Sequence, residues 1–200
     1  MRRRLGLAAA VAAAAALAAA PGASASKSIQ TGLFDDAQIL WGNPDKVFPM
    51  LKSLDTQLIR VNLYWNIVAK RRPASPTNPN DPAYAWATYD RTVQYASQYG
   101  IKVLFSLVGT PSWANGGAAP NVAPKNMLDL KKFAQAAATR YGGFFPGYDG
   151  RLLPAVRSWL VWNEPNNAIF LSPQYKKVRG KWTIQSAGVY AKMCNAVAVA

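Results

Sequence analysis

Glu164 is the single glutamate among nine acidic residues, and it stands between Asn163 and Pro165 at the end of an apolar run. A carboxyl group delivered to the end of a strand and partly desolvated, here by Trp162 and Pro165, has its pKa raised toward the range in which it can give up a proton. That suits general acid/base work at a leaving oxygen. Cleavage of a glycosidic bond asks for this group and for a second carboxylate, which attacks the sugar or activates water. Asn163, beside it, can hydrogen-bond a sugar hydroxyl. Taken alone, the tripeptide Asn163-Glu164-Pro165 reads equally well as the start of a turn.

The rest of the composition removes other chemistries. The chain has no histidine, so Ser/His/Asp and Cys/His nucleophilic sites and histidine metal sites cannot be assembled. No metal and no cofactor is expected. Cys194 is the single cysteine, so no internal disulfide can form. A formal net charge of +14 favours contact with anionic surfaces such as cell-wall polymers or acidic polysaccharide, or reads as a generally basic solvated surface. The basic residues are scattered apart from Lys70-Arg71-Arg72 and Lys176-Lys177. No helix-turn-helix, zinc or RNA-binding signature accompanies them, so no nucleic-acid partner is expected.

Residues 1–25 read as an export signal. Arg2, Arg3 and Arg4 form the basic start, residues 5–20 the alanine-rich apolar stretch, and Ala23-Ser24-Ala25 the small-residue cleavage site. A bilayer span needs about 18–20 apolar residues, and this run ends at Pro21-Gly22. The expectation is a secreted, extracellular protein of residues 26–200 with no membrane association after cleavage.

Four strand-like runs alternate with four helix-like runs over these residues, the pattern of a parallel sheet covered by helices. Strands are expected at residues 29–34, 58–65, 101–107 and 156–163. The first helix opens at Asn43-Pro44, with Pro49 expected to keep it short or irregular. The second puts Tyr89, Val93 and Ala96 on one face and stops at Gly100. The third runs over residues 126–141 with Leu130, Phe133, Ala137 and Tyr141 on one stripe, and ends at Gly142. The fourth is expected from about residue 183 to the last residue, with Ala187, Tyr190, Ala191, Cys194 and Val197 on its apolar face. That placement makes Cys194 a core residue rather than a reactive one.

Strand two alternates Ile59, Val61, Leu63 and Trp65 with Arg60, Asn62 and Tyr64, so one face is polar. A doubly wound sheet is covered on both faces, whereas the inner face of a barrel carries polar side chains near its mouth. The glycine-rich dinucleotide turn is also missing. Two long loops, residues 70–85 and 109–125, follow strands two and three, where barrels build their sites. Trp65 and Trp113 sit where flat rings can stack on pyranose faces; burial in the core is the competing fate. Trp86 and Trp182 open helices and read as structural. Asp35-Asp36 can supply a substitute carboxylate or simply an acidic turn.

Val161-Trp162-Asn163-Glu164-Pro165-Asn166 after the fourth strand resembles the signature of the clan A glycoside hydrolases, which include cellulases, mannanases and β-xylosidases on (β/α)8 barrels. The resemblance spans roughly residues 28–200. It implies an α/β chain supplying the first four βα units of a TIM barrel. It further implies Glu164 as acid/base of a retaining double displacement on a carbohydrate substrate, Asn163 against the sugar 2-hydroxyl, and Arg60 near the nucleophile. The substrate-facing set on this reading is Asn163, Arg60, Asn62, Trp65 and Trp113. The family's second glutamate, at the end of strand seven, has no counterpart here, so the chain reads as a fragment, inactive by itself. Its open half-barrel is expected to be poorly stable and to self-associate. A carbohydrate-binding fragment without catalysis is the alternative, and a basic wall- or nucleic-acid-binding protein ranks below both.

Overall fold

The computed structural model describes Ser26 and residues 28–200; the signal-like residues 1–25 lie outside the described residues. Thr31–Ala200 form one compact unit, and Ser26 and residues 28–30 fall outside it. No helix among the described residues is long and apolar enough to cross a membrane.

Strands β1 (Gly32–Phe34), β2 (Leu58–Tyr64), β3 (Lys102–Val108) and β4 (Ser158–Val161) pair in the order β1-β2-β3-β4, parallel throughout. Between them run helices α1 (Asp36–Trp41), α2 (Pro44–Ser53), α3 (Trp65–Val68), α4 (Ala87–Gln98), α5 (Ser112–Asn115) and α6 (Met127–Arg140). After β4 come an antiparallel hairpin, β5 (Tyr175–Val178) and β6 (Lys181–Ile184), and the helix α7 (Ser186–Ala198).

Period-two alternation decides which face is dry. Ile59, Val61 and Leu63 of β2 and Val103, Phe105 and Leu107 of β3 are buried in one cluster with Leu40, Phe48, Leu51, Tyr89, Val93, Leu130, Phe133 and Ala137 from the helices. The opposite parity carries Phe34, Arg60, Asn62, Tyr64, Ser106 and Leu160. Phe34 and Leu160 on that face are 50 % and 41 % exposed, while Asn62 and Ser106 on it are buried. The βα alternation and parallel pairing match the expectation of four barrel units. Four strands make an open sheet, and the eight-strand closure is neither formed nor contradicted by them.

Helix ends follow local chemistry. The side chains of Asp35, Asn43 and Asn126 accept the backbone N–H groups of Gln38, Asp45 and Leu128, each satisfying a donor that the first turn leaves free. Helix α2 runs unbroken for ten residues through Pro49, against the expectation of a short or irregular helix. Pro49 and Asp45 are both exposed, so water can take up the carbonyl that the missing N–H leaves free. Two further corrections lie after β4. The last helix begins at Ser186 rather than near residue 183, because residues 175–184 fold into a hairpin first. Its packed side is set by Met193 with Val189, Tyr190 and Val197, while Ala187 and Ala191 are exposed and Cys194 is half-buried.

Candidate functional site

The carboxyl ends of β2, β3 and β4 surround a cavity of about 340 Å³. Asn62 and Tyr64 enter it from β2, Asn66 and Ile67 from α3, and Val108, Gly109, Pro120 and Asn121 from the end of β3 and its loop. Trp162, Asn163, Ile169 and Phe170 close it from the segment after β4. No charged side chain lines it. Three carboxamides besides that of Asn163, one phenol and a set of apolar walls suit a ligand that carries hydroxyl groups on a carbon frame. Asn62 is only 8 % exposed, yet its Oδ1 has no hydrogen-bond partner within the protein, and neither has Oδ1 of Asn66. Buried acceptors left free in this way are costly unless a ligand or water completes them. Gly109 is required where it stands. Its φ is +75°, and a Cβ there would lie 2.2 Å from Asn66 Oδ1, so any side chain would displace a cavity-lining group.

The backbone turns sharply where β4 ends. Trp162 has φ +68° and Glu164 φ +36°, a left-handed conformation that costs bulky residues about 1–3 kcal/mol and persists only where surrounding contacts enforce it. Those contacts are present. The backbone N–H of Trp162 donates to Leu107 O at 2.8 Å, and the Ser106 hydroxyl donates to Trp162 O at 2.8 Å. The indole Nε1–H of Trp162 donates to Phe170 O at 2.6 Å. The turn re-aims Asn163 so that its Oδ1 accepts a hydrogen bond from the Arg60 guanidinium, which reaches across β3 from β2. Arg60 in turn lies 4.9 Å from the Phe34 ring centroid. Arg60 and Asn163 are thereby brought into contact, and Asn62 lines the same cavity as Asn163.

Glu164 differs from expectation in its surroundings. It is exposed and does not line the cavity. Trp162 cannot cover it, because its buried indole is held toward Phe170. The desolvation expected from the neighbours in sequence is therefore not supplied by the protein alone.

Two of the expected aromatic platforms are corrected. Trp65 is 1 % exposed: the strand ends at Tyr64, and Trp65 starts α3 with its ring stacked 5.4 Å from Phe133 in the core. It cannot meet a sugar. Trp113 is half-buried, its Nε1–H donating to Ala69 O at 2.7 Å, its ring edge-on to Trp65 at 5.5 Å, and the Arg72 guanidinium 4.5 Å from its centroid. These contacts occupy the ring that was expected to stack on a ligand. Trp86 is core, as read, whereas Trp182 is exposed on β6 and opens no helix.

Residues missed by the sequence reading are Tyr64, Asn66 and Asn121 in the cavity wall. Tyr64 shares the parity of Arg60 and Asn62 and was within reach of that argument. Asn66 and Asn121 lie where no periodicity operates. Asp35 is used as a helix cap, and Asp36 accepts from the Asn62 backbone N–H at 3.1 Å and from the Tyr64 hydroxyl at 2.9 Å, which fixes Tyr64 at the cavity rim. Burial pushes the Asp36 carboxyl above the ordinary carboxylate value, opposed by those two hydrogen bonds and the Arg60 charge. Above about pH 4 the native state then holds a proton that the unfolded chain has released, so stability falls as pH rises from there through the raised value. Asp36→Asn removes that fall. Urea titrations from acid to neutral pH should show the variant gaining relative to the wild type; a relative loss would reverse the sign of the burial effect.

No family model matches the sequence, and no curated protein matches it significantly. Among solved structures, a glucosidase from Croceicoccus marinus superposes with a TM-score of 0.52 at 14 % identity, over 76 % of this chain and 30 % of that one. A family 39 glycoside hydrolase from Bacteroides cellulosilyticus WH2 gives 0.49 at 17 % identity, over 84 % and 29 %. The chain thus spans about 30 % of the length of each of these two solved glycosidases. At such identity the likeness to the glucosidase is one of fold: over three quarters of its length this chain is folded like part of a glycoside hydrolase, as the motif after the fourth strand implied.

Proposed function

We propose that the chain is the part of a secreted glycoside hydrolase that carries the acid/base, with Glu164 protonating the departing glycosidic oxygen and then activating water. The observation that carries the reading is the strained turn at Trp162–Glu164, locked by Leu107, Ser106 and Phe170, which sets Asn163 against Arg60 and leaves the only glutamate at the open end of a parallel sheet. The adjacent cavity, lined by uncharged carboxamides and apolar walls, suits a sugar ring. Asn163 positions a ring hydroxyl, Asn62 completes its free acceptor on another, and Arg60 holds Asn163 in place while standing beside the reacting centre. The glycan itself covers Glu164 on binding and excludes water from the reacting oxygen.

The mechanism on this reading is a retaining double displacement, in which the nucleophilic carboxylate comes from outside residues 1–200. The protein carrying both carboxylates should therefore release its sugar with the anomeric configuration of the substrate. Proton NMR of the first-formed product checks this, and an inverted anomer would remove the covalent step. The exposure of Glu164 outside the cavity favours one second reading, a carbohydrate-binding barrel without catalysis. Oligosaccharide binding with no release of reducing ends in that same protein would decide for it.

A further inference from the structure

The β5–β6 hairpin is exposed along both of its strands. All eight strand residues are exposed, and the chain turns at Arg179-Gly180, both with positive φ. Residues directly opposite in an antiparallel pair share a face. Tyr175, Lys177, Trp182 and Ile184 therefore form one face and Lys176, Val178, Lys181 and Thr183 the other. On the first, Trp182 is 69 % exposed, with the Lys177 ammonium 5.7 Å from its ring centroid. Lys176, Lys177, Arg179 and Lys181 are four cations within six residues. No acidic residue follows Glu164 in the sequence, and no ion pair among the described residues involves the hairpin.

The hairpin stands on the site's own loop. Gln174 at its foot donates from Nε2 to Pro165 O at 3.0 Å, the residue after Glu164, and accepts at its backbone oxygen from Gln185 N at 2.8 Å. The Ser186 hydroxyl also bonds Gln174 Oε1 at 2.9 Å. A glycan lying over Glu164 therefore reaches a ribbon of flat rings and unpaired cations mounted beside it.

We propose that this hairpin is a binding surface for an acidic polysaccharide that wraps its tip, with Trp182 and Tyr175 stacking on sugar rings beside Lys177 on one face, and Arg179 at the turn and Lys176 and Lys181 on the other face taking carboxylates further along the polymer. The uncharged cavity holds a hydroxyl-bearing ring and the hairpin holds acidic groups further along the same polymer. Charge complementarity argues for a polyanion; the choice of glycan over nucleic acid rests on the glycosidase reading of the neighbouring cavity.

Affinity electrophoresis of the whole chain in gels containing polygalacturonate tests it, with neutral mannan, single-stranded DNA and phosphatidylglycerol vesicles assayed in parallel. Polygalacturonate should bind most tightly of the four. Combining Lys176→Ala, Lys177→Ala, Arg179→Ala and Lys181→Ala should flatten the slope of log affinity against log salt by about 3, at about 0.7 per released counterion. Trp182→Ala should weaken binding about tenfold at an unchanged slope, which mere charge attraction would not produce. These side chains are exposed, and an unchanged far-ultraviolet circular dichroism spectrum and thermal midpoint confirm that the variants fold. Equal binding of mannan, unaltered binding by the quadruple variant, or tighter binding of DNA or vesicles overturns the proposal. In the protein that carries both carboxylates, polygalacturonate binding without glycoside hydrolysis overturns the glycosidase reading alone, and hydrolysis without that binding overturns the hairpin proposal alone.

Discussion

Glu164→Gln, made in the protein that carries both carboxylates, is expected to lower kcat on glycosides with poor leaving groups by about 10²–10⁴, the usual worth of one positioned general acid. The size of the loss should depend on the leaving group. An alkoxide departing from an unactivated sugar needs a proton in the transition state, and glutamine has none to give. A dinitrophenolate leaves without help, so formation of the glycosyl intermediate should be nearly as fast in the variant as in the wild type. Hydrolysis of that intermediate still needs a base to take the proton from water. The variant should therefore show a burst of dinitrophenol followed by slow turnover. Azide, a nucleophile that needs no base, should restore turnover of the activated substrate and be recovered as a glycosyl azide. Uniform loss on all substrates, or no loss on any, would show that Glu164 does not handle the proton. Because Glu164 is exposed in the free protein, the bound substrate is what must cover it. A long oligosaccharide should therefore show a larger loss in the variant than a monosaccharide glycoside does.

The sequence made the scaffold legible where one physical rule dominates locally. Tyr89, Val93 and Ala96, and Leu130, Phe133, Ala137 and Tyr141, fall on single helical faces, and all seven are buried. Glycine after the second helix needs a left-handed conformation, and Gly100 has φ +68°. The alternation in strand two was readable because burial on one side and a polar mouth on the other impose opposite demands on successive residues. That parity singled out Arg60 and Asn62 as polar-face residues and composition singled out Glu164, while the place of Arg60 beside the reacting centre came from the clan A resemblance.

What escaped depends on contacts distant in sequence or on competition between weak local rules. Trp65 has the parity of the apolar face, but its fate was set by Phe133, a residue four elements later. Trp113 is fixed by Arg72 and the Ala69 carbonyl from the preceding loop, neither of which announces itself as its partner. The hairpin was hidden because Lys176-Lys177 reads as a charge run and its turn is Arg179-Gly180 rather than the familiar Asn-Gly or Asp-Gly. Trp182 then looked like the opening of a helix that starts four residues later. The loop over residues 70–85 was read as a site loop, yet it is packed on itself. Asp81 accepts from the Ser75 and Ala83 N–H groups, Tyr84 donates to Pro76 O, and Trp86 donates to Pro79 O. Its proline and asparagine content serves those turns, and it sends no residue into the cavity.

Arg140→Ala is expected to be the most destabilising single change, at about 3–5 kcal/mol, the cost of leaving one charge of a buried pair alone. Arg140 closes α6 and Asp90 lies on α4; they are 2 % and 4 % exposed. Arg140 Nε donates to Asp90 Oδ1 at 2.8 Å, a second guanidinium nitrogen bonds Oδ2, and the Tyr141 hydroxyl donates to Oδ1 at 3.0 Å. The guanidinium also lies 5.2 Å from the Phe145 ring and 5.8 Å from that of Trp86. Truncation therefore strands a carboxylate among aromatic rings, far from water, with one hydroxyl to satisfy it. For a chain of this size 1 kcal/mol corresponds to about 2–4 °C, so the midpoint of thermal unfolding should fall by about 10 °C. The charge rather than the volume is responsible if Asp90→Asn combined with Arg140→Met recovers most of the loss, since asparagine still accepts from Tyr141 and methionine fills the guanidinium's space. A double variant as unstable as Arg140→Ala would instead put the cost in packing against Trp86 and Phe145. The pair ties α4 to α6, the helices that flank β3, and β3 is the strand across which Arg60 reaches Asn163. Loosening it should therefore weaken glycan binding at the cavity as well as the fold, whereas the polygalacturonate affinity of the hairpin, mounted beyond β4, should change little.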